Sequence, residues 1–166
     1  MVFIIILGSA LHFAFEWSGN QAIVGVFSAV NESVWEHLKL AFWPALLFML
    51  IEYALLKKTV NNFALAKTVG VYVMVITIPL IFYSYTAVIG DNFFMDILTF
   101  VIAVIIGQLV SYRLLAHQKF SQYFNSVALF ALVMLGLAFV LFTFYPPQIS
   151  IFKDPRNGTF GMPVSP

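Results

Sequence analysis

Five apolar stretches, each at or near the length of a bilayer crossing, divide this chain at about 2–17, 38–56, 67–88, 93–112 and 124–145. A hydrocarbon core about 30 Å thick takes roughly 20 helical residues. Helix is the form required, because every backbone N–H and C=O must find its partner inside the segment. With 62% hydrophobic residues and only 8 Lys+Arg and 7 Asp+Glu in 166, there is too little polar surface to clothe a soluble domain. The sequence predicts an all-α polytopic membrane helix bundle over 1–145, of about five transmembrane helices. An extracytoplasmic tail rich in aromatic residues and proline follows at 146–166.

The same composition excludes several functions. A net charge of +1 offers no basic stripe for phosphates, so nucleic acid is no partner and the aromatic residues belong to the lipid bilayer. Without cysteine there is no disulfide, thiolate metal site or cysteine nucleophile. Gly8-Ser9-Ala10 loosely resembles a signal-peptide cleavage site, but no positive region precedes it. The first segment is therefore expected to remain as a helix, with Trp17 at its interfacial end.

Residues 20–37 are harder to place. IVGVFSAV is apolar but far too short to cross, and reads as a re-entrant or interfacial stretch leading into the second helix. NESVWEHLK follows, with Asn31 as the expected cap and Glu32 and Glu36 in the first turns, where the helix dipole favours carboxylates. Pro44 and Pro79 each remove a backbone donor and are expected to kink the second and third helices. Lys57, Lys58, Lys67, Arg113 and Lys119 fall in the connections after helices two and four, which share a side. By the positive-inside rule that side is cytoplasmic, so the N-terminus is inside and the tail outside.

The outer end gathers the titratable groups. His12 and Glu16 share a face of helix one, and Glu32 and Glu36 have the same four-residue spacing, with Lys39 on their face and His37 about 100° round. Glu16, Glu32 and Glu36 against Lys39 leave two unbalanced negative charges, costly at membrane depth. A divalent cation, or protons shared with the histidines, would balance them. His12, Glu16, Glu36 and His37 are the expected metal ligands, and Glu32 and Asp96 the candidate acid/base groups. Nitrogen and oxygen ligands without sulfur suit zinc, iron or manganese. The spacing matches no standard metal motif, and the bland alternative is a set of dipole-favoured surface acids.

Elsewhere the polar residues read as structural. Glu52 is expected to pair with Lys57, Lys58 or Arg113, and Gln108, Ser111 and Tyr112 to bond between helices. His117 carries no signal. Asp91 is expected at the cap of the fourth helix. Pro146-Pro147 stops the last helix, and Asp154-Pro155-Arg156-Asn157-Gly158 is turn chemistry flanked by Phe152 and Phe160, so the tail can fold back over the mouth of helices one and two.

His12-Phe13, Glu16-Trp17-Ser18-Gly19, the stretch Asn31 to Lys39, Gly107-Gln108, Tyr112, Pro146-Pro147, Asp154-Pro155 and Gly161 together resemble a family of small bacterial and archaeal multi-pass membrane proteins of unknown function. The resemblance implies a prokaryotic cytoplasmic membrane, and a functional unit that joins the outer site to the tail. It brings no activity. Besides a metal or proton site, which acid/base groups beside it would make that of a membrane metalloenzyme, two roles remain open. One is a small-solute or ion transporter, which would need a homo-oligomer because five helices make a thin pore wall. The other is a non-catalytic subunit docking to a membrane-complex partner.

Overall fold

The structure, a computed structural model, describes residues 1–56, 59–117 and 120–162. Lys57, Lys58 and Lys119, on which much of the charge asymmetry rests, lie outside the described residues. The fold is all-α. Its helices are α1 (Val2–Trp17), α2 (Ala22–Gly25), α3 (Val34–Leu56), α4 (Phe63–Ile89), α5 (Phe93–Leu115) and α6 (Gln122–Phe144). A 3-10 turn at Ser150–Phe152 follows.

Among the described residues four helices, α3 to α6, are long and apolar enough to cross a membrane. The fifth predicted crossing, α1, is a 16-residue helix and at 1.5 Å per residue is about 24 Å long, short of the hydrocarbon thickness. Large apolar side chains such as Leu98, Leu109, Phe130, Leu137 and Leu141 stand exposed on α5 and α6. A surface of this kind is at rest in lipid and not in water.

The start of α3 corrects the expected boundary. The helix begins at Val34, one turn before the apolar run, and Ser33 rather than Asn31 caps it, its Oγ accepting the Glu36 N–H at 3.4 Å. Ser33-Val34-Trp35-Glu36 is the Ser-x-x-Glu pattern of a helix start, which outweighs the nearby Asn. Asn31 instead accepts the Ser33 N–H and donates from Nδ2 to the Gly161 carbonyl in the tail, 2.9 Å away. At α5 the cap is likewise Asn92, not Asp91, with Oδ1 accepting from the Phe94 and Met95 N–H groups. Pro44 and Pro79 lie inside α3 and α4, which run on through them.

The core is the shared interior of α1, α3, α4, α5 and α6: Ile4, Leu38, Ala41, Phe42, Met74, Ala103, Val104 and Phe139 are all buried. Small residues set the closest approach. A Cβ on Gly107 would lie 2.6 Å from the Gly70 carbonyl oxygen and 2.4 Å from Met74 Cγ, so α4 and α5 meet backbone to backbone. Gly8 does the same for α1, where a Cβ would stand 2.5 Å from the Leu40 carbonyl oxygen of α3.

At the other end the partly buried Glu52 makes an ion pair, but with Lys67 of α4 at 2.7 Å and not with Arg113. Asn62 ties the same end together, accepting the Phe120 N–H and donating to the Leu114 and His117 carbonyls.

Candidate functional site

One end of the bundle collects the last turn of α1, the segment between α1 and α3, the first turns of α3, the α4–α5 turn and the tail. Lys39, on the second turn of α3, is fully buried there. Its ammonium has three donors and three acceptors: Glu36 Oε2 at 2.5 Å, the Gly25 carbonyl at 2.7 Å and Thr143 Oγ1 at 2.8 Å. Glu36 in turn accepts the Val30 N–H at 3.1 Å. Trp43, one turn deeper on α3, donates to the Val26 carbonyl. The segment around α2 is thereby stitched down the side of α3, and the Glu36–Lys39 pair forms its polar interior.

This pairing divides the expected ligands. Glu36 is turned inward to Lys39 and away from the histidines. Glu16 is exposed on α1 and has no ion pair among the described residues. His12, His37 and Glu32 come together: His37 Nε2 is 3.5 Å from Glu32 Oε2, His12 Nε2 is 3.9 Å from Glu32 Oε1, and the two imidazole centroids are 5.2 Å apart. One ligand atom from each lies within 4.8 Å of the others, a grouping that could hold a metal ion. Helical spacing misplaces Glu32 because Glu32 precedes α3, so the four-residue rule linking it to Glu36 does not apply.

The tail completes the site. Arg156 stands 3.1 Å from Glu32 Oε1, and its own N–H donates to Asp154 Oδ1 at 2.8 Å. Asp154, itself buried, accepts the Glu32 N–H with its other oxygen and holds the turn closed through the Gly158 N–H on its carbonyl. Phe152 is buried against Trp35, ring centroids 4.7 Å apart. The expected charge imbalance is thus changed: Lys39 answers Glu36, and Arg156, which read as turn chemistry, answers Glu32. No local pattern signals that role for Arg156; only the tertiary fold brings the tail to the α1–α3 connection.

The orientation of His37 follows from one hydrogen bond. Its Nδ1 is 2.9 Å from the Ser33 carbonyl oxygen, which can only accept, so Nδ1 carries a proton. A neutral ring then presents the bare Nε2 lone pair to a carboxylate oxygen. Two acceptors 3.5 Å apart repel unless a proton or a cation lies between them.

The cluster stands at the mouth of a cavity of about 400 Å³. Its wall on α1 runs from His12 through Ser9 to Ile5, and its wall on α5 from Phe93 through Ile97 to Val101. Leu40, Ile78, Phe82 and Phe100 line the apolar depth. Asp91 and Asp96 face the mouth from the α5 side, with Asp96 accepting the Tyr85 hydroxyl proton. Phe13, Phe93 and Ile97 are exposed at the rim, so the cavity opens between α1 and α5 on the flank of the bundle. A second cavity, lined by Met1, Glu52, Lys67 and Gln108 among others, lies at the opposite end, and the buried Ala45, Met74 and Val104 of mid-helix lie between the two ends.

No curated protein and no solved structure matches this chain. A family profile matches residues 1–162, spanning the helices, the histidine cluster and the tail alike, and by that match the chain belongs to DUF6512, a family of unknown function.

Proposed function

We propose that this is an integral membrane protein that binds one divalent metal ion through His12, Glu32 and His37 at the extracytoplasmic mouth of its flank cavity. The observation that carries the reading is the His37–Glu32 contact: a lone pair, fixed by the Ser33 carbonyl, faces a carboxylate at 3.5 Å. A cation between them turns repulsion into coordination. Around a tetrahedral zinc with Zn–N of about 2.0–2.1 Å, neighbouring ligand atoms are about 3.4 Å apart. The observed 3.5 and 3.9 Å, one to each Glu32 oxygen, lie near that value, and the full set, grouped within 4.8 Å, would draw together around the ion. The Ser33 carbonyl supplies the outer hydrogen bond that orients a metal-bound imidazole.

Two histidines and one carboxylate would leave coordination positions open on an ion held beside the cavity that all three residues line. Zinc, iron(II) and manganese(II) are the ions of matching ligand preference. Asp96, tied to Tyr85 on the far wall, is the group placed to exchange a proton with whatever occupies the cavity. In this reading α1 is a fifth, short crossing and the segment between α1 and α3 is re-entrant. The N-terminus is cytoplasmic and the tail covers the outer face. The apolar packing of Ala45, Met74 and Val104 favours a site over a passage.

Metal analysis of maltoside-purified protein after zinc loading and gel filtration tests the proposal. Close to one equivalent is expected in wild type and in Glu16→Gln, and background in Glu32→Gln and His37→Ala. Background zinc in wild type, with iron and manganese equally absent, refutes it.

A further inference from the structure

We infer that the flank cavity binds a single-chain zwitterionic amphiphile, with its hydrocarbon chain between α1 and α5 and a head that carries both a phosphate and an ammonium group. The inference rests on the metal reading above and names what the open coordination positions would meet.

The shape of the cavity sets the chain. From His12 to Ile5 on α1 the lining descends about 10 Å at 1.5 Å per residue, and the α5 lining from Phe93 to Val101 is about as deep. Below the mouth the walls are Ile5, Leu40, Ile78, Phe82, Ile97 and Phe100, with the Thr99 side chain buried among them. A slot this apolar, opening on the lipid-facing flank, fits one extended alkyl chain entering sideways from the bilayer. A volume of about 400 Å³ is that of a small-molecule site and too small for two chains.

Charge sets the head. On the side of α1, α3 and the tail a divalent ion contributes +2, Arg156 +1 and Glu32 −1, leaving a formal +2 that suits a phosphate. On the α5 side Asp91 and Asp96 supply two adjoining carboxyl groups, which in contact share a proton and leave a net negative charge that suits an ammonium. An anionic head without an amine would leave the two aspartates facing its phosphate, and a simple amine would leave Arg156 and the metal unanswered.

The test uses alkyl probes with a diazirine near the chain end and a phosphocholine, phosphate or ammonium head, photolysed with the full-length protein in maltoside and mapped by mass spectrometry. With zinc bound, the phosphocholine probe is expected to label Ile5, Ile78, Ile97 and Val101, to be displaced by dodecylphosphocholine, and to lose about tenfold or more of that labelling in Arg156→Gln. Chelation of the zinc is expected to shift preference to the ammonium probe, because only Arg156 then faces Glu32 and the Asp91–Asp96 pair. Labelling spread over the lipid-facing Phe130 and Leu137 for all three heads, in protein that has taken up zinc, overturns the inference and leaves the metal reading standing. Cavity labelling that favours the ammonium probe in protein that has taken up zinc overturns the head assignment alone, and the same preference in protein that takes up no zinc, iron or manganese overturns the metal reading with it. Cavity labelling strongest for the phosphate probe overturns the zwitterionic head alone.

Discussion

Lys39 and Glu36, one helical turn apart on α3, form an ion pair closed off from solvent on every side, with the Lys39 ammonium also bound to Gly25 and Thr143. The pair links three separate parts of the chain, the segment around α2, α3 and α6, through one positive charge. Removing one partner strands the other in an apolar interior, which costs about 3–5 kcal/mol. Glu36→Leu and Lys39→Met are each expected to lower the thermal unfolding midpoint in detergent sharply, and the double substitution to recover most of the loss. A double variant no more stable than the singles would show that the links to Gly25 and Thr143, not the pairing, hold this corner.

Zinc should stabilise the fold if it binds the native cluster. At a hundredfold excess over its dissociation constant a ligand adds about 2.7 kcal/mol. The wild-type unfolding midpoint is expected to rise with zinc and that of His12→Ala to stay flat, read by scanning fluorimetry with and without a chelator. Glu16→Gln is expected to respond as wild type does, since Glu16 stands apart from the cluster.

Asp154 is the residue on which the tail turns. Its carboxylate accepts the Arg156 and Glu32 N–H groups, so Asp154→Ala leaves two donors unanswered, at about 1–3 kcal/mol each where they are buried. The expected outcome is faster hydrogen exchange and protease cleavage across 146–162, with α4 and α5 unaffected. Asn31→Ala, which removes the bond to Gly161, should give a weaker form of the same effect.

Gly107→Ala tests the closest helix contact. The added methyl meets the Gly70 backbone oxygen at 2.6 Å, which cannot swing aside as the Met74 side chain can. Overpacking of this kind costs about 1–3 kcal/mol. The variant is expected to unfold at lower temperature, and to open the α4–α5 seam to exchange before the α1–α3 contact.

Much of this fold was legible because lipid imposes so few solutions. The four long helices follow from length and hydropathy alone, and the i,i+3 spacing of Glu36 and Lys39 already allowed their pairing. Hydropathy failed at the entry to α3, where Ser33, Glu36 and Lys39 look polar yet turn inward; their hydrogen-bonding capacity is met by the chain itself, which no hydropathy value records. It failed again at the site. His12 and His37, candidate ligands by sequence, do come together, but Glu32 precedes the helix in which spacing places it, and Arg156 reaches it from the far end of the sequence. Partners that meet only through tertiary folding leave no period to find.

The shortness of α1 has a mechanical corollary. On the proposed reading of α1 as a crossing, a helix of about 24 Å beside four that are longer would present the bilayer with a hydrophobic mismatch on one flank only. Lipid there would thin, and headgroups and water would come closer to the midplane beside α1 than beside α6. That depression lies along the α1 lip of the cavity, so the membrane is expected to be deformed where an amphiphile would have to leave it, and protein of this shape is expected to partition toward thinner bilayers.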